Sequence, residues 1–300
     1  MKIYSALLAA CFLLGASSGS TSARVPIPDT PGKVFDLAWV GKMTRASDPQ
    51  ISPDGKALVT VVTTPDYEND LNVSELALVD ISSGATRFLT HGRKNAGFPR
   101  WSPNGDRVAF VAADGEKHNQ IFILDMAGGD AFQLTKSPTS IQQFAWKPDG
   151  AALAYAAIDE APKKTGAERF DDAFEVGNGS FLDKEKALPT HLWLVSAAGG
   201  EAKRLTSGPW TLPVAFPPGP PASPIAFTAD GNKLIYVRLE TTYSGDRRHS
   251  SPQVLDLATG RSEAITTHTM FASFPVPSPD GKHVAYLYPR DGSEIGRAHV

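Results

Sequence analysis

The sequence contains one match to the G-x-S-x-G pattern of a serine nucleophile, at residues 15–19. In a hydrolase this pattern places the serine on a sharp turn between a strand and a helix, where its hydroxyl can attack a carbonyl. Here the match lies in a run of small residues near the N-terminus, with no strand-like segment before it and no helix-like segment after it. Ser17 is therefore not expected to be catalytic.

The other residue types that carry chemistry are scattered. None of the seven histidines is separated from another by one or three residues, and Cys11 is the single cysteine. Zinc sites usually place their ligands at such short spacings. No glycine-rich phosphate loop stands between a strand and a helix. The sequence therefore predicts no metal, no cofactor and no catalytic residue within this chain.

Residues 1–23 predict an export signal. Lys2 supplies the positive charge, residues 3–14 are largely apolar, and small residues lead to Ala23, after which we place the cleavage. The apolar stretch is too short to span a bilayer, so no membrane span is expected. Lipidation at Cys11 is the weaker interpretation, because the apolar run continues beyond it. We expect an exported protein, periplasmic or secreted.

The composition favours a packed β-rich protein. Hydrophobic residues make up 41% of the chain, which is enough for a core. The 26 glycines and 24 prolines indicate many turns and therefore many short strands. The net charge is −3 with no basic stripe, so nucleic acid is not an expected partner.

One turn pattern recurs five times and decides the fold class. Proline fixes φ near its turn value, Asp or Asn bonds to the nearby backbone, and glycine accepts a positive φ. An apolar run typical of a buried strand follows each copy. The copies are Ile51–Gly55, Trp101–Gly105, Trp146–Gly150, Phe227–Gly231 and Pro277–Gly281.

A second pattern alternates with the first and reads as strand, hairpin turn and strand, ending in a threonine. Its four copies are Leu76–Thr90, Ile121–Thr135, Leu192–Thr206 and Pro252–Thr266. Together the two patterns make a four-stranded antiparallel unit. Four tryptophans are assigned to the blade core: Trp101, Trp146, Trp193 and Trp210.

The repeat length is that of a propeller blade. The turn glycines lie 50, 45, 81 and 50 residues apart, and a blade of four strands takes roughly 40–50 residues. We predict an all-β fold, a β-propeller over residues 34–294 with about five of its seven or eight blades present. The long step predicts a partly helical insertion at 158–189, in which Phe170 and Phe174 share one side.

This order of features resembles the N-terminal half of secreted prolyl oligopeptidase-type serine peptidases, in the dipeptidyl peptidase and acylaminoacyl peptidase branch. The resemblance covers Val34 to about Tyr288. It is carried by the Ser-Pro-Asp-Gly turns, by the Asp80, Asp125 and Asp256 strand ends and by the Leu-Thr closures. The segments Phe170–Val176 and Thr190–Val195 complete it, because they look like the insertion of that branch and the strand that follows it.

The resemblance implies a propeller that restricts peptide access to a Ser-Asp-His triad in a C-terminal α/β-hydrolase domain. That domain is absent here, so this chain alone is expected to be inactive. Acidic residues on such an insertion hold the free amine of the substrate. The candidates for that role are Glu168, Asp171, Asp172 and Glu175. They include no adjacent Glu-Glu pair.

The last six residues, 295–300, match the translation of a sequencing adapter, and we interpret them as an artefact. Two other functions stay open. The chain could be a free-standing periplasmic propeller that binds protein partners, or a propeller enzyme such as a lyase with polar residues around its central channel. The first would be supported by a true stop codon soon after the last blade.

Overall fold

The computed structural model describes residues 43–93, 95–115, 118–170, 188–213, 223–243, 249–288 and 297–299. Nearly all the regular structure in these ranges is β-strand. A short 3-10 helix spans Gly166–Phe170. The strands form five antiparallel sheets, and within each sheet the strands are adjacent in the order in which they occur in the chain.

Each sheet is one blade, and the strands of the five blades follow. Blade 1 holds β1 (Arg45–Ile51), β2 (Ala57–Asp66), β3 (Leu71–Asp80) and β4 (Thr86–Phe88). Blade 2 holds β5 (Gly97–Trp101), β6 (Arg107–Ala113), β7 (Asn119–Asp125) and β8 (Phe132–Gln133). Blade 3 holds β9 (Ile141–Trp146), β10 (Ala152–Ile158), β11 (Thr190–Ser196) and β12 (Lys203–Arg204). Blade 4 holds β13 (Ala226–Phe227), β14 (Lys233–Leu239), β15 (Ser250–Asp256) and β16 (Ser262–Ala264). Blade 5 holds β17 (Ser273–Pro277), β18 (Val284–Tyr288) and β19 (Arg297–His299).

These sheets confirm the predicted all-β fold of four-stranded antiparallel blades, in a ring that is not closed. The backbone of β19 pairs with β18, so three of the residues interpreted as adapter continue the fifth sheet. The adapter origin of 295–300 stays a prediction.

The recurring turn between the first two strands of a blade is held by its own side chains. In blade 1 the Ser52 hydroxyl donates to Asp54 Oδ1 at 2.6 Å, and the Gly55 N–H donates to the Ser52 carbonyl at 2.9 Å. Gly55 has a φ of 75°, which favours glycine. Hydrogen bonds from Ser52 and from the Lys56 N–H lower the pKa of the Asp54 carboxyl. The recurring aspartates therefore act as turn residues.

A threonine closes each of the first three blades. The Thr90 hydroxyl accepts the main-chain N–H of Leu76 at 2.9 Å. Thr135 accepts that of Ile121, and Thr206 accepts that of Leu192, both also at 2.9 Å. We call these residues, with Thr266 in blade 4, the closing threonines. Those of the first three blades tie the end of the fourth strand back to the third strand.

The apolar core lies between successive blades. Blades 1 and 2 share a cluster that includes Val59, Leu76 and Phe110, all fully buried. Blades 2 and 3 share a second cluster, and blades 3 and 4 a third. Each of the first four blades is thus stabilised by burial of apolar side chains against its neighbours, as in other repeat proteins.

The four tryptophans pack in or against the apolar core, as predicted, and two of them also link neighbouring blades. Trp101 and Trp146 end their strands half-buried, and each indole N–H donates to a carbonyl of the preceding blade. The acceptors are Gln50 at 3.0 Å and Arg100 at 3.1 Å. Trp210 is buried but lies outside the strands, between β12 and β13. The repeat therefore uses the tryptophan before the turn to link blades, and blade 4 has Phe227 in that place.

Candidate functional site

The antiparallel order of each blade separates its turns into two ends. The recurring Pro-Asp/Asn-Gly turns lie at one end. The turns between second and third strands, and the connections from one blade to the next, lie at the other. We call this second end the insertion rim, because the long segment between β10 and β11 leaves the blade there.

The insertion runs between the end of β10 at Ile158 and the start of β11 at Thr190. Of the predicted amine-binding residues, Glu168 lies in the 3-10 helix, whose five residues are all exposed. Phe170 in the same helix is 82% exposed. The other three candidates, Asp171, Asp172 and Glu175, lie outside the described residues, as does Phe174. The amine-binding role of the set stays a prediction.

Both ends of the insertion are fixed by hydrogen bonds. The Asp159 N–H donates to the Pro189 carbonyl at 2.8 Å, and the Thr139 hydroxyl donates to the Ile158 carbonyl at 2.5 Å. The Arg204 Nη2 donates to Asp159 Oδ2 at 2.7 Å, whereas Asp159 Oδ1 is buried without a hydrogen-bond partner among the described residues. The insertion therefore starts and ends at a defined place on blade 3.

His191 lies beside this stem and is fully buried. Its Nε2 is 3.1 Å from the Gly208 carbonyl, which can only accept, so Nε2 carries the proton. Its Nδ1 lies 3.2 Å from the Thr206 hydroxyl and accepts from it. Burial lowers the pKa of His191, and the Gly208 hydrogen bond only partly opposes this effect. His191 is a neutral structural residue.

A second excursion follows blade 3. Gly231 lies 25 positions after Thr206, whereas Gly150 lies only 15 positions after Thr135. The predicted insertion at 158–189 therefore does not account for the whole of the long step, and its bounds stay a prediction. The second excursion packs back on the rim through Thr211. Its hydroxyl accepts the Thr190 N–H at 2.8 Å, and its backbone pairs with Leu239.

The first strands carry bulges near the insertion rim, in blades 1, 2, 3 and 5. In three of these the bulge contains a non-glycine residue with positive φ, each preceding a proline. These residues are Asp48, Phe98 and Phe274, with φ of 49°, 52° and 52°. Such a backbone costs about 1–3 kcal/mol per residue, and it often re-aims a side chain near a functional site.

The bulges in blades 1 and 2 bring a buried ion pair together. Arg100 Nη1 donates to Asp48 Oδ2 at 2.8 Å, and the two side chains are 23% and 4% exposed. The guanidinium carbon also lies 3.7 Å from the centre of the Phe98 ring. Sequence reasoning missed this pair, because the two residues are brought together only by the packing of neighbouring blades.

Among the described residues, these groups do not pair a nucleophile with a general base. The described ranges hold no cluster of three or more His, Cys, Asp or Glu side chains that could hold a metal. Within the same ranges, no helix has the length and apolar character needed to cross a membrane.

The chain was compared with family models, with curated protein sequences and with solved structures. No family model matches the chain. It is 28% identical over 281 residues to dipeptidyl-peptidase 5 of Porphyromonas endodontalis, covering 88% of this chain and 39% of that protein. An acylaminoacyl peptidase from Pyrococcus horikoshii superposes with a TM-score of 0.57 and 16% identity, over 82% of this chain and 36% of that one. The β-propeller domain of the Trilobed protease from Pyrococcus furiosus superposes with a TM-score of 0.52 and 15% identity. The match covers 86% of this chain and 67% of that one.

The predicted resemblance to peptidases of the dipeptidyl peptidase and acylaminoacyl peptidase branch is thus confirmed. The propeller domain among the structural neighbours supports the fold assignment. The chain spans between 28% and 43% of the length of the first three curated relatives that it matches.

Proposed function

We propose that this chain is the substrate-gating propeller of a secreted serine peptidase, whose Ser-Asp-His triad lies in a C-terminal α/β-hydrolase domain outside this chain. The relationship to dipeptidyl-peptidase 5 over 88% of the chain carries the proposal. A ring of blades leaves a narrow axial route, which admits short or unfolded peptides and excludes folded proteins. Because the triad of this proposal lies in that other domain, we expect no peptidase activity from this chain by itself.

The insertion rim is the face that meets the substrate in this proposal. Both excursions from the blade repeat leave from it, and long excursions from a regular scaffold are commonly functional. The stem bonds of Asp159 fix the point at which the insertion leaves blade 3. In this proposal Glu168 and its acidic neighbours hold the positively charged amine of the substrate.

The source locus provides the first test. We expect the reading frame to continue beyond the codon for Glu294 into further blades, a G-x-S-x-G turn and later Asp and His residues. The complete protein should then cleave peptide 4-nitroanilides and be blocked by a fluorophosphonate. Cleavage by this chain alone with the same inhibitor sensitivity would contradict the proposal. A genomic stop codon directly after residue 300 would favour the free-standing binding propeller.

The gating role needs a separate variant of the complete protein. Blade 2 joins its second and third strands through the short Asp114–His118 turn, closed by the Asp114 N–H to His118 carbonyl bond. Replacing residues 160–188 by a turn of that length should raise cleavage of long peptides relative to dipeptide substrates. If the ratio of long-peptide to dipeptide cleavage stayed unchanged, the insertion would not restrict access to the active site.

The amine-binding role is tested by substrate pairs. Neutral amide replacements of Glu168, Asp171, Asp172 and Glu175 should raise KM for peptides with a free N-terminus. N-acetylated peptides of the same sequence act as the matched control, because they carry no charge for the carboxylates to bind. An equal change in KM for both substrates would show that the acidic residues do not hold the amine.

A further inference from the structure

The recurring turn of blade 2 differs from its four counterparts in one residue. Each of those four turns has an aspartate before its glycine, and the carboxylate accepts the main-chain N–H two residues beyond the aspartate, at 2.9 to 3.1 Å. The four aspartates are Asp54, Asp149, Asp230 and Asp280. Blade 2 has the exposed Asn104 in this place. Its turn therefore holds an amide where the repeat uses a carboxylate.

A different residue supplies the carboxylate of this turn. Asp106 Oδ1 accepts the Ser102 hydroxyl at 2.8 Å, which is the contact that Asp54 makes in blade 1. Slight burial acts to raise the pKa of Asp106, but hydrogen bonds from three neighbours, Asn104 among them, outweigh it and lower the pKa. The amide of Asn104 thus donates to an ionised carboxylate, which holds the side chain in place.

Asn104 is followed by Gly105, and this pair is open to a reaction within the chain. The amide carbon of an asparagine can be attacked by the main-chain nitrogen of the next residue, and glycine has no side chain to hinder the approach. In the folded turn the Gly105 N–H donates to the Ser102 carbonyl at 2.9 Å. The attack requires this bond and the bond from the amide to Asp106 to open. The fold therefore slows the reaction without preventing it.

We propose that Asn104 is a deamidation site of the folded chain. The Gly105 nitrogen forms a bond to Asn104 Cγ and gives up its proton to water. The Cγ–Nδ2 bond breaks, and the amide nitrogen leaves as ammonia with a proton taken from water. Water then opens the five-membered imide at one of its two carbonyl carbons, which gives aspartate or isoaspartate. The reaction needs no other reagent, and it is independent of the peptidase function proposed above.

The products disturb the contact between neighbouring turns. A new carboxylate at position 104 stands beside Asp106, and like charges repel each other. The turn of blade 1 avoids this repulsion because it has Lys56 at the position of Asp106. A Cβ on Gly105 would lie 3.3 Å from Pro53 Cδ, so the turns of blades 1 and 2 pack closely. Isoaspartate adds a carbon to the main chain beside this close contact. Deamidation therefore weakens the packing of blade 2 on blade 1.

Peptide mass spectrometry of the purified chain tests the reaction. Trypsin cuts after Arg100 and Arg107 and so releases residues 101–107, whereas the other Asn-Gly pair, at 178–179, falls in a different peptide. After incubation at mildly alkaline pH, we expect aspartate and isoaspartate at position 104. A sample digested before incubation gives the background. Formation should be roughly two- to tenfold slower than in a free synthetic peptide, which is the factor that one ordinary hydrogen bond represents.

Asn104→Gln is the matched control, because the longer side chain forms its cyclic imide far more slowly. This variant should give no product at position 104. The absence of product at that position in the original chain, over a time in which the free peptide reacts fully, would overturn the proposal. Equal conversion in Asn104→Gln would also overturn it.

Two further variants test the part played by Asp106. Asp106→Lys copies the turn of blade 1 and releases the Asn104 amide, so deamidation should become about two- to tenfold faster. Asn104→Asp mimics one product and should lower the melting temperature by roughly 2–4 °C.

The double variant Asn104→Asp/Asp106→Lys restores the Ser-Pro-Asp-Gly-Lys order of blade 1 and should recover the lost stability. An unchanged rate in Asp106→Lys would overturn the restraint by Asp106. A melting temperature of Asn104→Asp equal to that of the original chain would overturn the effect on packing. None of these results touches the peptidase proposal, because that proposal depends on the downstream reading frame.

Discussion

The imidazole of His191 takes the place in blade 3 that the carboxamide of Gln120 takes in blade 2. His191 Nε2 donates to the carbonyl two residues beyond its closing threonine, and Gln120 Nε2 does the same. His191 Nδ1 accepts the hydroxyl of Thr206, as Gln120 Oε1 accepts that of Thr135. Two different side chains thus make the same pair of hydrogen bonds. They satisfy the closing-threonine hydroxyl and a carbonyl in the turn that leads to the next blade.

We expect His191→Gln to be tolerated and His191→Ala to be destabilising. Glutamine can make both hydrogen bonds, whereas alanine leaves the Gly208 carbonyl without its donor and the Thr206 hydroxyl without its acceptor. An unsatisfied buried polar group costs about 1–3 kcal/mol. Urea unfolding followed by tryptophan fluorescence measures the difference. Equal loss in the two variants would show that the ring shape, and not the hydrogen bonds, is what matters.

The buried imidazole also predicts a pH dependence. Because burial lowers the pKa of His191 in the folded chain, its neutral form is favoured by folding. Its contribution is fully present above the ordinary pKa of about 6.5, and it is lost as the pH falls further, because the unfolded chain takes up the proton first. The free energy of unfolding should therefore decline below that pH, and His191→Gln should flatten this part of the profile. An identical slope in both proteins would assign the decline to other groups.

The indole link between blades 2 and 3 should be measurable. Trp146→Phe removes the N–H that donates to the Arg100 carbonyl and should cost about 0.5–1.5 kcal/mol beyond the loss of apolar area. Trp193→Phe is the control. Trp193 has an arginine carbon 5.4 Å from its ring, as Trp146 does, but it has no described indole hydrogen bond. Chemical denaturation should show the larger loss for Trp146, and equal losses would contradict the link.

Breaking the Asp48–Arg100 pair should be costly. Asp48→Ala leaves a largely buried guanidinium without its carboxylate, for which about 3–5 kcal/mol is typical. Asp48→Asn should lose less, since asparagine tolerates positive φ and still accepts a hydrogen bond. The double variant Asp48→Ala/Arg100→Met should recover part of the loss. A double variant as unstable as the sum of both single variants would argue against a coupled pair.

The export signal has a direct test. Expressed with its own N-terminus in a Gram-negative host, the chain should appear in the periplasm and begin at Arg24, because cleavage is placed after Ala23. N-terminal sequencing of the periplasmic fraction measures this. A cytoplasmic product that still begins at Met1 would refute the signal, and a lipid-modified N-terminus at Cys11 would support the alternative.

The blade architecture could be predicted because hydrogen bonds between residues close in sequence determine its recurring turns. Ser52, Asp54 and Gly55 bond within a few residues of one another, so the turn recurs wherever that pattern recurs. The closing-threonine bonds of the first three blades also stay within one blade, between residues fourteen positions apart. The recurring turn and the pattern that ends in a closing threonine were together enough to predict the order of the strands in each blade.

The candidate site was harder to predict, since it depends on contacts between blades. Nothing in the sequence around Asp48 or Arg100 indicates that they meet, and the bulges that allow it depend on the backbone. One departure from the repeat did leave a signal in the sequence that was missed. Aligning the four copies of the second pattern shows Pro252 where the others carry an N–H donor, and such a departure from a repeat marks a changed role.

The sheet order described above also bears on how the molecule is made. Every described sheet consists of strands that are consecutive in the chain, so no blade waits for a distant segment. Short sequence separation between contacting residues favours rapid folding. During synthesis at roughly 5–20 residues per second, blade 1 can be complete before blade 3 leaves the ribosome. Assembly can thus proceed vectorially, each finished blade giving the next one a surface on which to condense.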